Sequence, residues 1–295
     1  MSYLLCALWW ASGESNDRLC HQAGALDMNS LTIEQYQIIY NVLSFSIATM
    51  GAATLFFWLS RSQVAPQYRG ALVISGLVTA IAAYHYYRMS NSWSEAFILD
   101  GDTITASKVA FNDAYRYVDW LLTVPLLLVE LILVMGLSRS ATIAKSTKLG
   151  LLALLMVALG YPGEVAPDMN GRLLWGGLSM IPFLVIIYEL FVSLRGSVKS
   201  QPEEARNLVN IAIWVTVGSW SFYPVVYFAP LLFGAENANL TTMSGTAATI
   251  VQAGYTAADV IAKAVFGVLI YMIASAKSTQ WRAEQRVSDT GSLAT

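Results

Sequence analysis

The sequence predicts an all-α membrane protein, a bundle of seven transmembrane helices. Hydrophobic residues make up 56% of the chain and charged residues only 12%, whereas about a quarter of a soluble domain is charged. The mean hydropathy is +0.53. Seven apolar runs are long enough to cross a hydrocarbon core of about 30 Å, which takes about 20 helical residues. These observations exclude an ordinary soluble domain.

The seven runs define how the chain is organised. They cover residues 33–59, 70–88, 112–137, 149–165, 173–194, 208–233 and 242–276. We therefore predict an outer N-terminal arm at 1–30, a seven-helix domain at 31–278 and a disordered cytoplasmic tail at 279–295.

The basic residues predict the orientation, because cytoplasmic loops carry the excess of Lys and Arg. The connections after the odd-numbered runs hold Arg61, Arg69, Arg139, Lys145, Lys148, Arg195, Lys199, Arg206, Lys277, Arg282 and Arg286. The opposite side holds only Arg18, Arg88, Lys108 and Arg172. We expect the N-terminus outside and the C-terminus in the cytoplasm.

The N-terminal arm has two open interpretations. Residues 1–10 are apolar, as in a cleaved signal peptide, but no basic residue precedes them and a polar linker follows at 16–29. Cys6 and Cys20 lie on the outer side, where a disulfide is chemically allowed. The sequence contains no metal-ligand spacing, phosphate loop or basic nucleic-acid patch, so we predict neither a metal nor a nucleic-acid partner.

The third run carries most of the ionisable groups expected inside the membrane. At 3.6 residues per turn, Arg116, Asp119, Thr123 and Glu130 fall near one stripe of the helix. Asp119 and Glu130 are separated by about 16 Å along the axis. We expect neighbouring positive charge to keep Asp119 ionised, and the apolar surroundings of Glu130 to keep it protonated. The pair predicts a proton acceptor outward of a proton donor.

A lysine in the seventh run completes this pattern. Lys263 lies one helical turn after Asp259 in an apolar stretch. An amine at that depth costs about 2.5–3.5 kcal/mol on insertion scales, so it needs a partner or a covalent task. With Arg116 and Asp119, these residues form a neutral set of two positive and two negative charges, which a low-dielectric site tolerates. Ordinary ion pairs between helices are the alternative interpretation.

Three motifs carry a resemblance to a known family. They are RYVDWLLTVP at 116–125, WSFYP at 220–224 and DVIAK at 259–263. In this order, on three helices, they resemble the microbial rhodopsins, which bind retinal covalently in a seven-helix bundle. The resemblance covers about residues 35–278 and is closest to the outward proton pumps that are similar to xanthorhodopsin and proteorhodopsin.

The resemblance implies roles for the ionisable residues. Lys263 would bind all-trans retinal as a Schiff base, with Asp119 and Asp259 as counterions. Asp119 would be the primary proton acceptor and Glu130 the cytoplasmic donor. The other implied members of the proton path are Arg116 and Thr123. His85, which without the family reads as a packed imidazole among tyrosines, would pair with the acceptor carboxylate.

The resemblance also implies a retinal pocket, formed by Trp120, Leu127, Gly176, Trp220, Tyr223, Pro224 and Tyr227. Leu127 matches a position where leucine accompanies green absorption. Gly176 stands where many relatives have a tryptophan, which implies a lateral opening compatible with a carotenoid antenna. Glycine is also common where membrane helices pack closely. Glu236 lies in no motif that matches the family's proton-release glutamates.

Three other acidic residues have simpler interpretations. Asp113 begins the third run, where we expect an N-terminal cap or a first-turn acid favoured by the helix dipole, with a place on the proton path as the alternative. Glu189 is expected near the membrane interface. Glu164 is expected near the outer surface, where it would serve an oligomer contact.

The leading interpretation is a light-driven outward proton pump, a transporter and not an enzyme. A sensory rhodopsin is the alternative, but sensors often replace the donor that Glu130 provides. A retinal-free receptor or transporter has no evident reason to bury Lys263 beside Asp259. We expect membrane lipids as neighbours, a homo-oligomer that resemblance makes a pentamer or trimer, and the inner membrane of a bacterium.

Overall fold

In a computed structural model, which describes residues 31–101, 103–166, 168–228 and 245–292, seven helices are long and apolar enough to cross a membrane. They are α1 Ile33–Ser60, α2 Arg69–Glu95, α3 Ala114–Met135, α4 Arg139–Glu164, α5 Met169–Tyr188, α6 Glu203–Tyr227 and α7. Helix α7 consists of Gly245–Asp259, a π-helical turn at Val260–Val265, and Phe266–Ser292. The predicted seven-helix fold is confirmed, whereas the N-terminal arm with Cys6 and Cys20, and Glu236, lie outside the described residues.

Local signals explain where several helices begin and end. Thr32 and Gln35 form a capping box at the start of α1. Ser138 caps α4 by accepting a hydrogen bond from Ala141 N. Helix α3 ends at Gly136, whose φ of 70° is a left-handed conformation that glycine adopts without strain. Two side-chain caps and one glycine therefore mark helix ends that hydropathy alone does not locate.

The structure differs from the predicted boundaries at several places. Helix α2 continues to Glu95, and α4 begins at Arg139 instead of 149. A two-stranded antiparallel hairpin, β1 Phe97–Asp100 with β2 Thr103–Ala106, lies between α2 and α3. Because its strands have only four residues each and are mostly exposed, they carry no strong hydropathy signal.

The expectation of a disordered tail from 279 is wrong for its first part, because helix α7 continues to Ser292. Two contacts explain the extension. Trp281 packs against the core, and Arg282 donates a hydrogen bond to the carbonyl oxygen of Gln63. A polar segment thus stays helical because it rests on the loop that joins α1 and α2.

The core brings α3 and α7 together. Helix α3 contacts α2, α4 and α7, and α7 also contacts α1 and α6. The π-helical turn of α7 contains Lys263. Such turns inside helices often occur at functional sites, since they displace one side chain from the regular spacing. The fold therefore places Lys263 opposite the polar stripe of α3.

Candidate functional site

Lys263 forms two ion pairs in the centre of the bundle. Its Nζ lies 2.6 Å from Asp119 Oδ2 on α3 and 2.9 Å from Asp259 Oδ2 one turn earlier on α7. All three side chains are buried. Buried charges are tolerated only when they are paired, so the predicted juxtaposition of Lys263 with both carboxylates is present.

Asp259 is enclosed by hydrogen-bond donors. Its Oδ1 accepts from Trp120 Nε1 at 2.9 Å and from the Tyr223 hydroxyl. Its Oδ2 accepts from the Tyr86 hydroxyl at 2.8 Å. Hydrogen bonds to an ionised group are stronger than neutral ones, so these donors, with Lys263, favour a carboxylate at this position.

Asp119 has fewer partners. Beyond Lys263, its Oδ1 is buried and accepts no hydrogen bond within the described part of the chain. His85 Nδ1 lies 3.9 Å from that oxygen, too far for a hydrogen bond, and 2.9 Å from the carbonyl oxygen of Ile81. The Thr123 hydroxyl donates to the backbone carbonyl of Asp119 at 2.8 Å. Asp119 thus has a free oxygen that can take a proton.

Arg116 is held on the side of Asp113, although the sequence predicted that it would balance Asp119. Its Nε donates to Asp113 Oδ1 at 3.1 Å, one amino group donates to Gln252 Oε1 at 2.5 Å, and the other to the Tyr86 hydroxyl at 3.3 Å. Gln252 Nε2 donates to Asp113 Oδ2 at 3.1 Å.

Asp113 therefore does not act as the expected N-terminal cap of α3. It stands at the cap position, but its side chain makes no capping hydrogen bond. Instead, Asn112 Oδ1 accepts from Ala114 N at 3.0 Å. The carboxylate of Asp113 is occupied by Arg116 and Gln252, since a charged guanidinium is a stronger donor than a backbone amide.

Glu130 lies in a different environment further along α3. It is fully buried, and its Oε2 is 2.5 Å from the hydroxyl of Ser75 on α2. That hydroxyl also lies 3.1 Å from the carbonyl oxygen of Ala71. A serine has only one proton to donate. If Ser75 donates it to the carbonyl oxygen of Ala71, its contact with Glu130 is a hydrogen bond only when the carboxyl is protonated and donates to the serine oxygen. No ion pair involves Glu130 among the described residues.

A cavity of about 770 Å³, including its opening, extends from Lys263 between α3, α4, α5 and α6. All seven residues predicted for the retinal pocket line it, together with Tyr117, Val124, Met156, Val157, Gly160, Ser179, Met180, Phe183, Phe228, Tyr255 and Ala262. Its apolar, aromatic walls and its single amine fit an elongated apolar aldehyde such as retinal.

Gly176 permits close packing at the wall of this cavity. A Cβ at this position would lie 2.7 Å from Tyr227 Cε1 and 2.8 Å from Phe228 Cζ. Gly176 is itself buried, whereas the adjacent Gly177 is exposed and has open space around it. A larger residue at 176 would displace one of these rings and reshape the cavity.

Two acidic residues have ion-pair partners that were not predicted. Glu164 is buried, with Oε2 3.2 Å from Arg172 and 3.2 Å from the hydroxyl of Tyr117. This side chain is therefore held inside the bundle, and an oligomer contact near it stays a prediction. Glu189 is also buried, and Lys145 and Lys148 approach its carboxylate at 2.7 and 2.5 Å.

Four polar residues of the site were not predicted from the sequence. Tyr86, Gln252 and Ser75 bond to the ionisable groups, and Tyr255 lies between the cavity and Arg116. Ser75 and Tyr86 are separated by about three helical turns, which places them on one face of the second run. Gln252 precedes Asp259 by seven residues, a spacing that also keeps one face. These spacings were the available signals.

The comparisons with known proteins agree with this geometry. Residues 37–277 match the family model described as bacteriorhodopsin-like protein. The blue-light absorbing proteorhodopsin of Gamma-proteobacterium Hot 75m4 is 32% identical over 242 residues, which cover 80% of this chain and 87% of that protein.

Two solved structures are also similar. Xanthorhodopsin, described as a light-driven ion pump with dual chromophore, is 46% identical with a TM-score of 0.79, over 85% of this chain and 97% of that one. Thermophilic rhodopsin is 42% identical with a TM-score of 0.79, over 86% and 98% of the two chains. Since the family model spans most of its length, the chain belongs to the bacteriorhodopsin-like family, the microbial rhodopsins.

Proposed function

We propose that this chain is a light-driven outward proton pump that holds retinal covalently as a Schiff base on Lys263. The position of Lys263 Nζ carries the proposal. It stands at the wall of the apolar cavity and within 3 Å of two buried carboxylates. A lysine amine can condense with an aldehyde, and the adjacent carboxylates supply the countercharge that a buried cation needs.

Family membership limits the class of function. The chain is a multi-pass protein of the cell membrane and a light-driven transporter, not an enzyme. Bound retinal supplies light absorption and a light-induced change of shape. The residues around the cavity hold it, exclude water, and place the proton of Lys263 Nζ beside its acceptor.

Asp119 takes the proton from Lys263 Nζ. The two atoms are 2.6 Å apart, within the range for direct proton transfer. Asp259 is the less suitable acceptor because Trp120, Tyr86 and Tyr223 donate to its ionised form. The free Oδ1 of Asp119 provides a second position for the proton once it has left Lys263.

Glu130 returns a proton to Lys263 from the other side. It lies eleven residues beyond Asp119 on α3, which is about 16 Å along a helix. Its burial, with no cation partner among the described residues, favours the protonated form needed in a donor. Under the orientation expected from the basic loops, α3 runs from outside to inside, so the net movement is outward.

We further propose that the wall at Gly176 accepts a carotenoid antenna, as the printed description of xanthorhodopsin as a dual-chromophore pump suggests. Support comes from the missing side chain at position 176 in the wall of the cavity, because a tryptophan there would displace Tyr227 or Phe228. With a carotenoid added, the action spectrum of pumping should gain the carotenoid bands. Gly176→Trp should lose these bands and Gly177→Trp should keep them; retention in both variants would contradict the antenna site.

The pump is tested by light-driven pH changes in an unbuffered suspension of cells that express the chain with added retinal. We expect external acidification that a protonophore abolishes, and no response from Lys263→Ala. A coloured, inserted protein without a pH change would favour the sensory alternative. Alkalinisation that the protonophore enhances would mean that another ion is transported.

A further inference from the structure

Arg116 lies between two carboxylates at equal distance in sequence. Asp113 precedes it by three residues and Asp119 follows it by three. Residues three apart on a helix are neighbours, with Cβ atoms about 5–6 Å apart. The guanidinium can therefore pair with either carboxylate. Its position determines how much positive charge acts on the proton acceptor, Asp119.

The structure shows Arg116 on the side of Asp113. Helical side chains lean toward the N-terminus of their helix, which points Arg116 toward Asp113. Gln252 then ties the pair together, since its amide accepts from Arg116 at 2.5 Å and donates to Asp113 at 3.1 Å. Tyr86 occupies the remaining amino group. The arginine is fully buried, while the side chain of Asp113 keeps 14% of its surface exposed.

We infer that Asp113 is a positioning residue, which with Gln252 holds Arg116 away from Asp119 and so gives the acceptor its affinity for the proton. This inference rests on the proposed pump. With Arg116 held at Asp113, Lys263 is the main positive charge that favours ionised Asp119. After Lys263 has given its proton to Asp119, Asp119 keeps that proton because no second cation lies close enough to favour the ionised carboxylate.

The charged and titratable groups near Asp119 come from four helices. Lys263 on α7 lies 2.6 Å from its carboxylate and His85 on α2 lies 3.9 Å from it. Asp259 on α7 shares Lys263 with it, Tyr86 on α2 and Tyr223 on α6 donate to Asp259, and Arg116 on α3 donates to Tyr86. Of these, only Arg116 has Asp113 as a partner. Loss of the Asp113 charge affects the proton affinity of Asp119 in two ways. Arg116 is free to approach Asp119, and one nearby negative charge is removed. Both effects favour ionised Asp119.

The test is a dark titration of the purified, retinal-loaded protein, in which protonation of Asp119 is followed by the colour change and by its infrared carbonyl band. In Asp113→Asn the midpoint should move to lower pH by about one unit or more, as expected when a cation approaches a carboxylate. Asp113→Glu should restore the wild-type midpoint. Gln252→Leu should shift it in the same direction by less.

Asp100→Asn is the matched control, because Asp100 is an exposed acid of the hairpin, and its midpoint should stay at the wild-type value. An unchanged or raised midpoint in Asp113→Asn would overturn the inference. If that variant does not fold, an unchanged midpoint in Gln252→Leu would do so. Since the titration is made in the dark, its outcome is independent of pumping, which the light-driven pH change of the wild type tests separately.

Discussion

The two halves of α3 present their carboxyl groups in opposite environments. Asp119 belongs to a connected set of charges and hydrogen-bond donors that continues through Asp259, Tyr86 and Arg116 to the partly exposed Asp113. Glu130 has one hydroxyl partner, Ser75, and is surrounded by the apolar core. Polar contacts lead from the acceptor toward one surface, whereas apolar packing separates the donor from the other.

This difference explains how one bundle can move protons in one direction. A proton on Asp119 lies close to polar groups that continue toward the end of the bundle at which α3 begins. Glu130 is fully buried, and Leu127 and Val134, its neighbours three and four residues away on α3, are buried as well. Glu130 can reload only when that packing opens, so the closed structure prevents the proton from leaking back.

The largest effect is expected when the acceptor is removed. Asp119→Asn should abolish transport and shift the absorption to the red, because the cation on Lys263 loses its partner at 2.6 Å. Light-driven pH changes and an absorption spectrum measure both effects. Asp100→Asn serves as control, and retained pumping in Asp119→Asn would remove Asp119 from the acceptor role.

Removal of the donor should slow the cycle without stopping the first transfer. In Glu130→Gln the return of a proton to Lys263 should slow by about 100-fold, the lower range for loss of a general acid, and should become strongly pH-dependent. Flash spectroscopy of the decay measures it. A decay equal to that of the wild type would show that the proton returns by another route.

A smaller effect is expected when Ser75, the only described hydrogen-bond partner of the proton donor Glu130, is replaced. Ser75→Ala should slow proton return by about fivefold, because a hydrogen bond to the ionised carboxylate is stronger than one to the neutral acid. Ser94→Ala is the control on α2, since its hydroxyl bonds only within its own helix. Faster return in Ser75→Ala would mean that the serine retains the proton on Glu130.

The smallest effect is expected at Asp259, which accepts hydrogen bonds from several donors. Tyr223→Phe removes one hydrogen bond from Asp259, but Trp120, Tyr86 and Lys263 remain. The pumping rate should change by less than about twofold, since the remaining partners keep the carboxylate satisfied. Complete loss of pumping in this variant would show that the remaining partners do not suffice to stabilise the Asp259 carboxylate.

The sequence predicted the fold because crossing a bilayer constrains it strongly. Seven apolar runs, the stripe on α3 and the spacing of Asp259 and Lys263 require only helical periodicity, and their placement agrees with the structure. The hairpin and the helical extension to Ser292 depend on local contacts, such as that of Arg282 with Gln63, which leave no periodic signal.

The partner of Arg116 could not be read from spacing alone. Asp113 and Asp119 are equally distant from it in sequence, and the difference comes from Gln252, which reaches Arg116 from another helix. The partner of Glu130 was missed for the same reason, since Ser75 contributes one hydroxyl among many on α2. Contacts between helices determine these hydrogen-bond partners, and the periodicity within each helix does not predict them.

Time-resolved infrared spectroscopy during a single light cycle would follow the protonation of both carboxyl groups of α3. We expect that a carbonyl band assigned to Asp119 appears first and that a carbonyl band assigned to Glu130 then disappears and later recovers. Asp119→Asn and Glu130→Gln supply the assignments. A cycle that acidifies the outside while neither carboxyl changes its protonation would contradict the proposed acceptor and donor.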